Sequence, residues 1–100
     1  MRKIDIIKEI KEYIGNNTKD EYNKWYVGIT DNTERRVFGK NEHNVSKTND
    51  RWITCPADSK KDAQEIEEYF LELGMDGDTG GGNNGTTIVY CYKKSDHTTP

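Results

Sequence analysis

The sequence predicts an α+β fold, with a small three-stranded antiparallel sheet flanked by helices. Three short segments rich in β-branched and aromatic residues predict the strands, and two longer segments with apolar residues at three- and four-residue steps predict amphipathic helices. The chain of 100 residues has the length of one compact domain. We therefore expect a single domain over residues 1–100, with an N-terminal helix over 1–15, a core over 24–93 and a flexible tail over 95–100.

The first predicted element is a helix over about residues 2–14, because one apolar stripe runs along it. The stripe consists of Ile4, Ile7, Ile10 and Ile14, with Lys and Glu residues between them. Gly15 ends this helix, and a polar loop follows it.

The segment "KWYVGIT" at 24–30 predicts the first strand, since it is rich in β-branched and aromatic residues. Its alternation places Trp25, Val27 and Ile29 on one face and Tyr26, Gly28 and Thr30 on the other. A short helix follows from Glu34, with Asp31 or Thr33 as its predicted N-cap.

The second predicted strand is "RWITCP" at 51–56, and a long helix follows it. Ser59 is the predicted N-cap of this helix, and Gly74 ends it. Its buried stripe consists of Ala63, Ile66, Tyr69, Phe70 and Leu73. After a glycine-dense segment over 74–85, "TTIVYCYKK" predicts the third strand. We expect Phe70 and Trp52 to lie in the core.

Composition narrows the classes of function. The net charge of −3 disfavours a protein that binds nucleic acid along its phosphate backbone, although a local basic face stays compatible with it. No apolar run approaches the roughly 18 residues of a membrane span, and the N-terminal segment is too charged for a signal peptide. Cys55 and Cys91 lack the spacing of a metal site, so we expect two buried thiols in a cytoplasmic protein without membrane contact.

The stretch "YVGITDNTERRV" resembles the second half of the signature of the GIY-YIG nuclease superfamily. In that family a YIG strand is followed by an arginine on a short helix, and here Tyr26-Val27-Gly28 is followed by Arg36. A further strand then leads into a helix that carries a metal-binding glutamate, and Glu67 occupies the matching position. The resemblance covers residues 25 to about 73.

No GIY strand precedes Tyr26 in this chain. The remaining segment with strong β-forming character lies at 86–93, so we expect it to pair with the strand of Tyr26 and to fill the place of the missing strand by permutation. This pairing would bring Tyr90 or Tyr92 close to Tyr26.

The resemblance implies a GIY-YIG-like core with an extra N-terminal helix, and Mg²⁺-dependent hydrolysis of phosphodiester bonds in nucleic acid. Glu67 would hold the Mg²⁺ ion, and Arg36 would stabilise the charge that develops on the phosphoryl group. Tyr26, with its pKa lowered by nearby cations, would accept a proton from the attacking water. His43 and Tyr90 complete the predicted catalytic set.

A second group of residues is expected to bind the anion. Lys40 stands where the family usually has His or Tyr, and His43 follows three residues later, so a loop would have to return His43 to the site. The predicted anion-binding groups are Arg35, Lys40 and the backbone amides of Gly80 and Gly81.

Two alternatives stay open. The same fold would also serve as a non-catalytic binding module for a nucleotide or a protein partner, which the acidic balance favours. The chain would otherwise be an unrelated small α+β protein whose match to the signature is chance. Each of these residues also has a purely structural alternative: Arg36 pairs with Glu34 or with a glutamate of the long helix, Glu67 lies on a solvated face, and His43 is an ordinary loop residue.

Overall fold

The computed structural model describes residues 1–78 and 83–100. Its elements, in chain order, are α1 (Lys3–Ile14), α2 (Lys19–Tyr22), β1 (Trp25–Thr30), α3 (Thr33–Arg36), β2 (Trp52–Pro56), α4 (Lys60–Leu73) and β3 (Ile88–Lys93). No helix in this part of the chain is long and apolar enough to cross a membrane.

The three strands form one antiparallel sheet in the order β1-β3-β2, which confirms the predicted fold class. The last strand of the sequence is therefore the central one. Its register places Gly28 and Thr54 on either side of Tyr90, and Tyr26 opposite Tyr92. The predicted pairing of the C-terminal strand with the strand of Tyr26 is confirmed.

The outer edge of β1 is covered by the segment that follows α4. The amide of Val27 donates to the carbonyl of Asp76, and the amide of Asp76 donates to the carbonyl of Trp25, both at 2.9 Å. Gly77 lies so close to this edge that an added Cβ would be 2.5 Å from the carbonyl oxygen of Val27. The pairing of this segment with β1 brings Asp76 and Asp78 close enough to Tyr26 for their charges to act on it.

The two faces of the sheet are covered by different material. On one face α1, α2 and α4 form the main apolar core, which includes Ile6, Ile10, Trp25, Val27, Ile66, Phe70, Val89 and Cys91. On the other face a smaller cluster contains Tyr26, Val37, Val45, Tyr90 and Tyr92. Phe70 is fully buried as predicted, whereas Trp52 is only half-buried, because it lies on the outer strand β2 with its ring against Phe38.

Helix capping follows the sequence pattern at α4 and departs from it at α3. The hydroxyl of Ser59 accepts a hydrogen bond from the amide of Asp62 at 3.1 Å, as predicted. At α3 the N-cap is Asn32, whose side chain accepts from the amide of Arg35 at 3.0 Å. The alternative cap Asp31 is instead paired with the Arg35 guanidinium. Thr33 is the first residue of the helix.

Candidate functional site

Three tyrosines from β1 and β3 lie side by side on the face of the sheet opposite the main core. Residues two apart on a strand share a face, so Tyr90 and Tyr92 both lie beside Tyr26. The Tyr26 ring centroid is 5.3 Å from that of Tyr92 and 6.4 Å from that of Tyr90, and the planes are nearly parallel. All three side chains are buried.

Gly28 provides the space that the Tyr90 ring occupies. A Cβ added at Gly28 would lie 2.3 Å from Tyr90 Oη and 2.4 Å from Cζ, so no larger residue fits while Tyr90 keeps this position. The glycine of the "YVG" stretch is therefore explained by a residue that lies more than 60 positions later in the chain.

The loop after α3 returns His43 to this cluster. Its path is fixed by backbone hydrogen bonds from His43 to the carbonyl of Arg36 (3.2 Å), from Asn44 to that of Gly39 (3.0 Å) and from Val45 to that of Val37 (2.9 Å). Asn44 adopts a φ of 56°, which asparagine tolerates better than most residues. His43 is only 2% exposed, so it is not a solvated loop residue.

The imidazole of His43 contacts both tyrosines of β3. Its Nε2 lies 2.7 Å from Tyr90 Oη, and its Nδ1 lies 2.9 Å from Tyr92 Oη and 2.6 Å from the carbonyl oxygen of Thr99. The Tyr26 ring is 4.6 Å from the imidazole, centroid to centroid. We call Tyr26, His43, Tyr90 and Tyr92 the Tyr–His cluster.

Arg36 borders the Tyr–His cluster from α3. Its Nη1 donates to Glu42 Oε2 at 2.5 Å, in a half-exposed ion pair. The same guanidinium interacts with the Tyr90 hydroxyl and lowers the pKa of Tyr90, but burial raises this pKa more strongly. Burial, followed by the positive charge of Arg36, also lowers the pKa of His43 against the opposing effects of Thr99 and Glu42. His43 is therefore neutral near pH 7.

Glu67 lies on α4 and is 2% exposed. Burial raises its pKa to about 7, and the charges of Glu68 and Asp78 add to this effect. Over residues 1–78 and 83–100 its carboxyl group has no hydrogen-bond or ion-pair partner. The negative charge of Glu67 also raises the pKa of Tyr26 and of Tyr90, which places it near the Tyr–His cluster.

The pKa of Tyr26 is shifted in the direction opposite to the predicted one. Cations were expected to lower its pKa, but burial raises it, and Asp78, Asp76 and Glu67 raise it further. Only Arg36 acts in the opposite direction. The expectation was wrong because the segment after α4 brings carboxylates to the edge of β1, next to the phenol.

Of the predicted anion-binding residues, the structure describes Arg35 and Lys40. Arg35 is exposed and pairs with Asp31 at 3.1 Å. Lys40 is exposed on the turn after α3. Gly80 and Gly81 lie outside the described residues.

The structure adds residues that the sequence did not single out. Glu42 pairs with Arg36, Asp78 acts on Tyr26 and Glu67, and the backbone of Thr99 contacts His43. A pairing glutamate for Arg36 was an expected alternative, although its position was not. Nothing in the local sequence points to Thr99, since its contribution is a backbone carbonyl.

No family model, curated protein or solved structure matches the chain. Among the described residues no group of three or more His, Cys, Asp or Glu side chains is arranged to hold a metal ion.

Proposed function

We propose that this chain is a GIY-YIG-like domain that hydrolyses phosphodiester bonds of nucleic acid with the help of a divalent cation. The observation that carries the proposal is the convergence of five residues from distant parts of the chain. They are Tyr26, Arg36, His43, Glu67 and Tyr90, and direct contacts or electrostatic effects connect each of them to another.

The order of the strands supports the proposal. The resemblance requires a tyrosine-bearing strand beside the "YVG" strand, and β3 occupies that place with Tyr90 opposite Gly28. The chain would then carry the family's first strand at its C-terminal side. This permutation accounts for the absence of a GIY segment before Tyr26.

Arg36 is the proposed phosphate-binding group. Its planar guanidinium offers two parallel N–H donors to two phosphate oxygens, which the single ammonium of lysine does not. Glu42 occupies part of this donor set at 2.5 Å, so a phosphate would have to displace it. Because the pair is half-exposed, its displacement costs little.

Glu67 and Asp78 would hold the divalent cation, because the charge of Asp78 acts on the Glu67 carboxyl. Carboxylate oxygens are the ligands that Mg²⁺ prefers, and Mg²⁺ is commonly held by one or two carboxylates with water and phosphate oxygens completing its shell. The buried carboxyl of Glu67 has no partner of its own in the described part of the chain, which leaves its oxygens free to bind an ion. A bound Mg²⁺ would supply positive charge that polarises the phosphate and stabilises the leaving oxygen.

The Tyr–His cluster supplies the proposed proton path. Neutral His43 accepts the hydrogen of the Tyr90 hydroxyl, 2.7 Å away, and the Arg36 guanidinium stabilises the phenolate that forms. The phenolate then accepts a proton from the attacking water, so that the hydroxide formed adds to phosphorus while the P–O bond to the leaving oxygen breaks. Tyr26, stacked beside both groups, positions this water.

A binding module without catalysis is the second candidate. Weak anion binding is favoured by the ion pair of Arg36 with Glu42 and by the net charge of −3. The absence of proton transfer is favoured by the raised pKa values of Tyr26 and Tyr90. Its ligand would be a nucleotide or a protein partner. Both candidates suit a cytoplasmic protein, since Cys55 and Cys91 are free thiols and buried.

Cleavage of labelled single- and double-stranded oligonucleotides, with Mg²⁺ or with EDTA, tests the proposal. Arg36→Lys and Glu67→Gln should each lower the rate by about 10²-fold or more, as the loss of a group that stabilises the transition state does. Arg35→Lys and Glu72→Gln are matched controls, because both residues are exposed and lie outside the cluster, and they should stay within about twofold.

The outcomes separate the two candidates. Mg²⁺-dependent cleavage that survives Glu67→Gln would refute the proposed site. Binding that weakens with Arg36→Lys, without any cleavage, would establish the binding module instead. Equal binding by Arg36→Lys and the unchanged chain would leave Arg36 with only its structural pairing to Glu42.

A further inference from the structure

Residues 95–100 were expected to form a flexible tail, but the segment 95–99 folds back onto the loop of His43. The amide of Thr99 donates to the carbonyl oxygen of His43 at 2.9 Å. The carbonyl oxygen of the same threonine lies 2.6 Å from Nδ1 of the His43 imidazole. One residue therefore contacts both the backbone and the side chain of His43.

Three further contacts hold this segment in place. The side-chain amide of Asn44 donates to the carbonyl of His97 at 3.1 Å. His97 Nε2 lies 2.5 Å from Asp50 Oδ2, and the Ser95 hydroxyl donates to Asp50 Oδ1 at 3.2 Å. Thr98 is buried beneath them. The segment is thus anchored on the loop that carries His43, through Asn44 and Asp50, which both follow His43 in the chain.

A backbone carbonyl can only accept hydrogen bonds, so the Nδ1 atom that contacts Thr99 has to carry the hydrogen. A neutral imidazole has a single ring N–H, and its other nitrogen, Nε2, is then a free acceptor. Tyr90 Oη, 2.7 Å from Nε2, consequently donates to His43 rather than accepting from it. The Tyr92 hydroxyl, near the same Nδ1, donates to the Thr99 carbonyl at 3.5 Å.

We infer that segment 95–99 is a positioning element of the site, in which the Thr99 carbonyl fixes His43 in the tautomer whose Nε2 receives the hydrogen of Tyr90. The catalytic consequence rests on the proposed function, but the tautomer does not. The other groups around the imidazole are the rings of Tyr26 and Tyr92 and the Arg36–Glu42 pair. Among them the Tyr92 hydroxyl, 2.9 Å from Nδ1, can also accept from an Nδ1–H, but unlike the Thr99 carbonyl it can donate as well, so it does not by itself fix the tautomer.

Two shortened chains test the inference. A chain that ends after Thr98 lacks the carbonyl, whereas one that ends after Thr99 keeps an acceptor there as a terminal carboxylate. Nitrogen NMR of the His43 ring at neutral pH distinguishes the hydrogen-bearing from the hydrogen-free nitrogen. We expect Nδ1–H in the unchanged chain and in the chain ending after Thr99, and a mixture of tautomers in the chain ending after Thr98.

Cleavage gives a second readout. The chain ending after Thr98 should lose at least tenfold in kcat while its affinity for the oligonucleotide stays within about twofold, because Arg36 is untouched. If that chain does not fold, His97→Ala replaces it, since it removes the side-chain contacts with Asp50 and Ser95 but leaves the Thr99 carbonyl in the chain, and it should give a partial loss of the tautomer preference. A hydrogen on Nε2 in the unchanged chain, or the same tautomer with and without Thr99, would overturn the inference. Absence of cleavage by the unchanged chain would instead count against the proposed function, and the nitrogen spectra would still decide the tautomer.

Discussion

Both faces of the sheet bury side chains, but the two sets of buried side chains differ in polarity. The face covered by α1 and α4 buries isoleucines, Phe70 and Trp25 in an almost wholly apolar core. The opposite face buries three tyrosines and a histidine, and on it the hydroxyls of Tyr90 and Tyr92 contact ring nitrogens of His43. The apolar face is thus held by shape and area, and the polar face by a specific set of hydrogen bonds.

The difference follows from what covers each face. Amphipathic helices present apolar stripes, so α1 and α4 cover their face of the sheet mainly with apolar side chains, and Glu67 of α4 is the exception. The other face is covered by the loop of His43 and by segment 95–99, whose backbone amides and carbonyls need polar partners. A loop-covered face is therefore the one on which buried polar chemistry can be built.

The largest expected effect lies on the apolar face. Phe70 is fully buried in the main core, and Phe70→Ala should lower the free energy of unfolding by about 3–5 kcal/mol, through lost burial and a residual cavity. Denaturant unfolding measures it, with Ile4→Ala as the control. The sequence wrongly placed Ile4 in the apolar stripe of α1, since Ile4 is 68% exposed and Ile6 is buried instead. A change below about 1 kcal/mol would mean that this face is not the main source of stability.

Gly28→Ala tests how tightly the opposite face is packed. The added Cβ would lie 2.3 Å from Tyr90 Oη, so the buried ring or the backbone of β1 would have to shift. We expect a loss of about 1–3 kcal/mol in the free energy of unfolding. The loss should shrink in a Tyr90→Ala background, and equal losses in both backgrounds would show that the ring is not the obstacle.

The sequence predicted the elements of this fold better than the site. Helical and strand periodicity located α1, α4 and the three strands, because these patterns depend on neighbouring residues, and the alternation in "KWYVGIT" assigned the two faces of β1. The site depends on contacts between residues far apart in the sequence. The contact between His43 and Thr99 spans 56 positions and uses a backbone carbonyl, so no residue type signals it.

Electrostatics were the least predictable feature. The arginines near Tyr26 are visible in the sequence, which suggested a lowered pKa for its phenol. The carboxylates of Asp76 and Asp78 act on Tyr26 only because their segment runs along the edge of β1, and that path is set by Gly77 and by backbone pairing. Local composition therefore predicted the wrong sign.

Two glutamates are buried among the described residues, and Glu67, unlike Glu21, has no hydrogen-bond or ion-pair partner there. Its replacement therefore measures the cost of a buried charge without a partner. The unfolded carboxyl loses its proton near pH 4.5 and the folded one near 7, so the fold loses stability as the pH rises through this interval and carries the full cost above it. With EDTA present, Glu67→Gln should raise the free energy of unfolding at pH 8 by about 1–2 kcal/mol. This is less than the roughly 3 kcal/mol that the full pKa difference would give without screening by solvent. The gain should vanish near pH 4, and Glu72→Gln should show neither effect. A gain that persists at pH 4 would point to packing rather than charge.

The smallest effect distinguishes the two tyrosines that contact His43. Tyr90→Phe leaves the hydrogen-free Nε2 of a buried imidazole without a donor, whereas Tyr92→Phe leaves Nδ1 still bonded to the Thr99 carbonyl. A buried acceptor without a donor lowers stability, whereas Nδ1 keeps the Thr99 carbonyl as its partner when the Tyr92 hydroxyl is lost. Tyr90→Phe should therefore lower the free energy of unfolding by about 1 kcal/mol more than Tyr92→Phe. Paired denaturant titrations of the two variants measure this difference.

Tyr90→Phe should also raise the pKa of His43, because the unpartnered Nε2 then gains more from a proton, while Tyr92→Phe should leave this pKa nearly unchanged. Equal costs and equal titrations would mean that the polar face, like the apolar one, is held by shape alone.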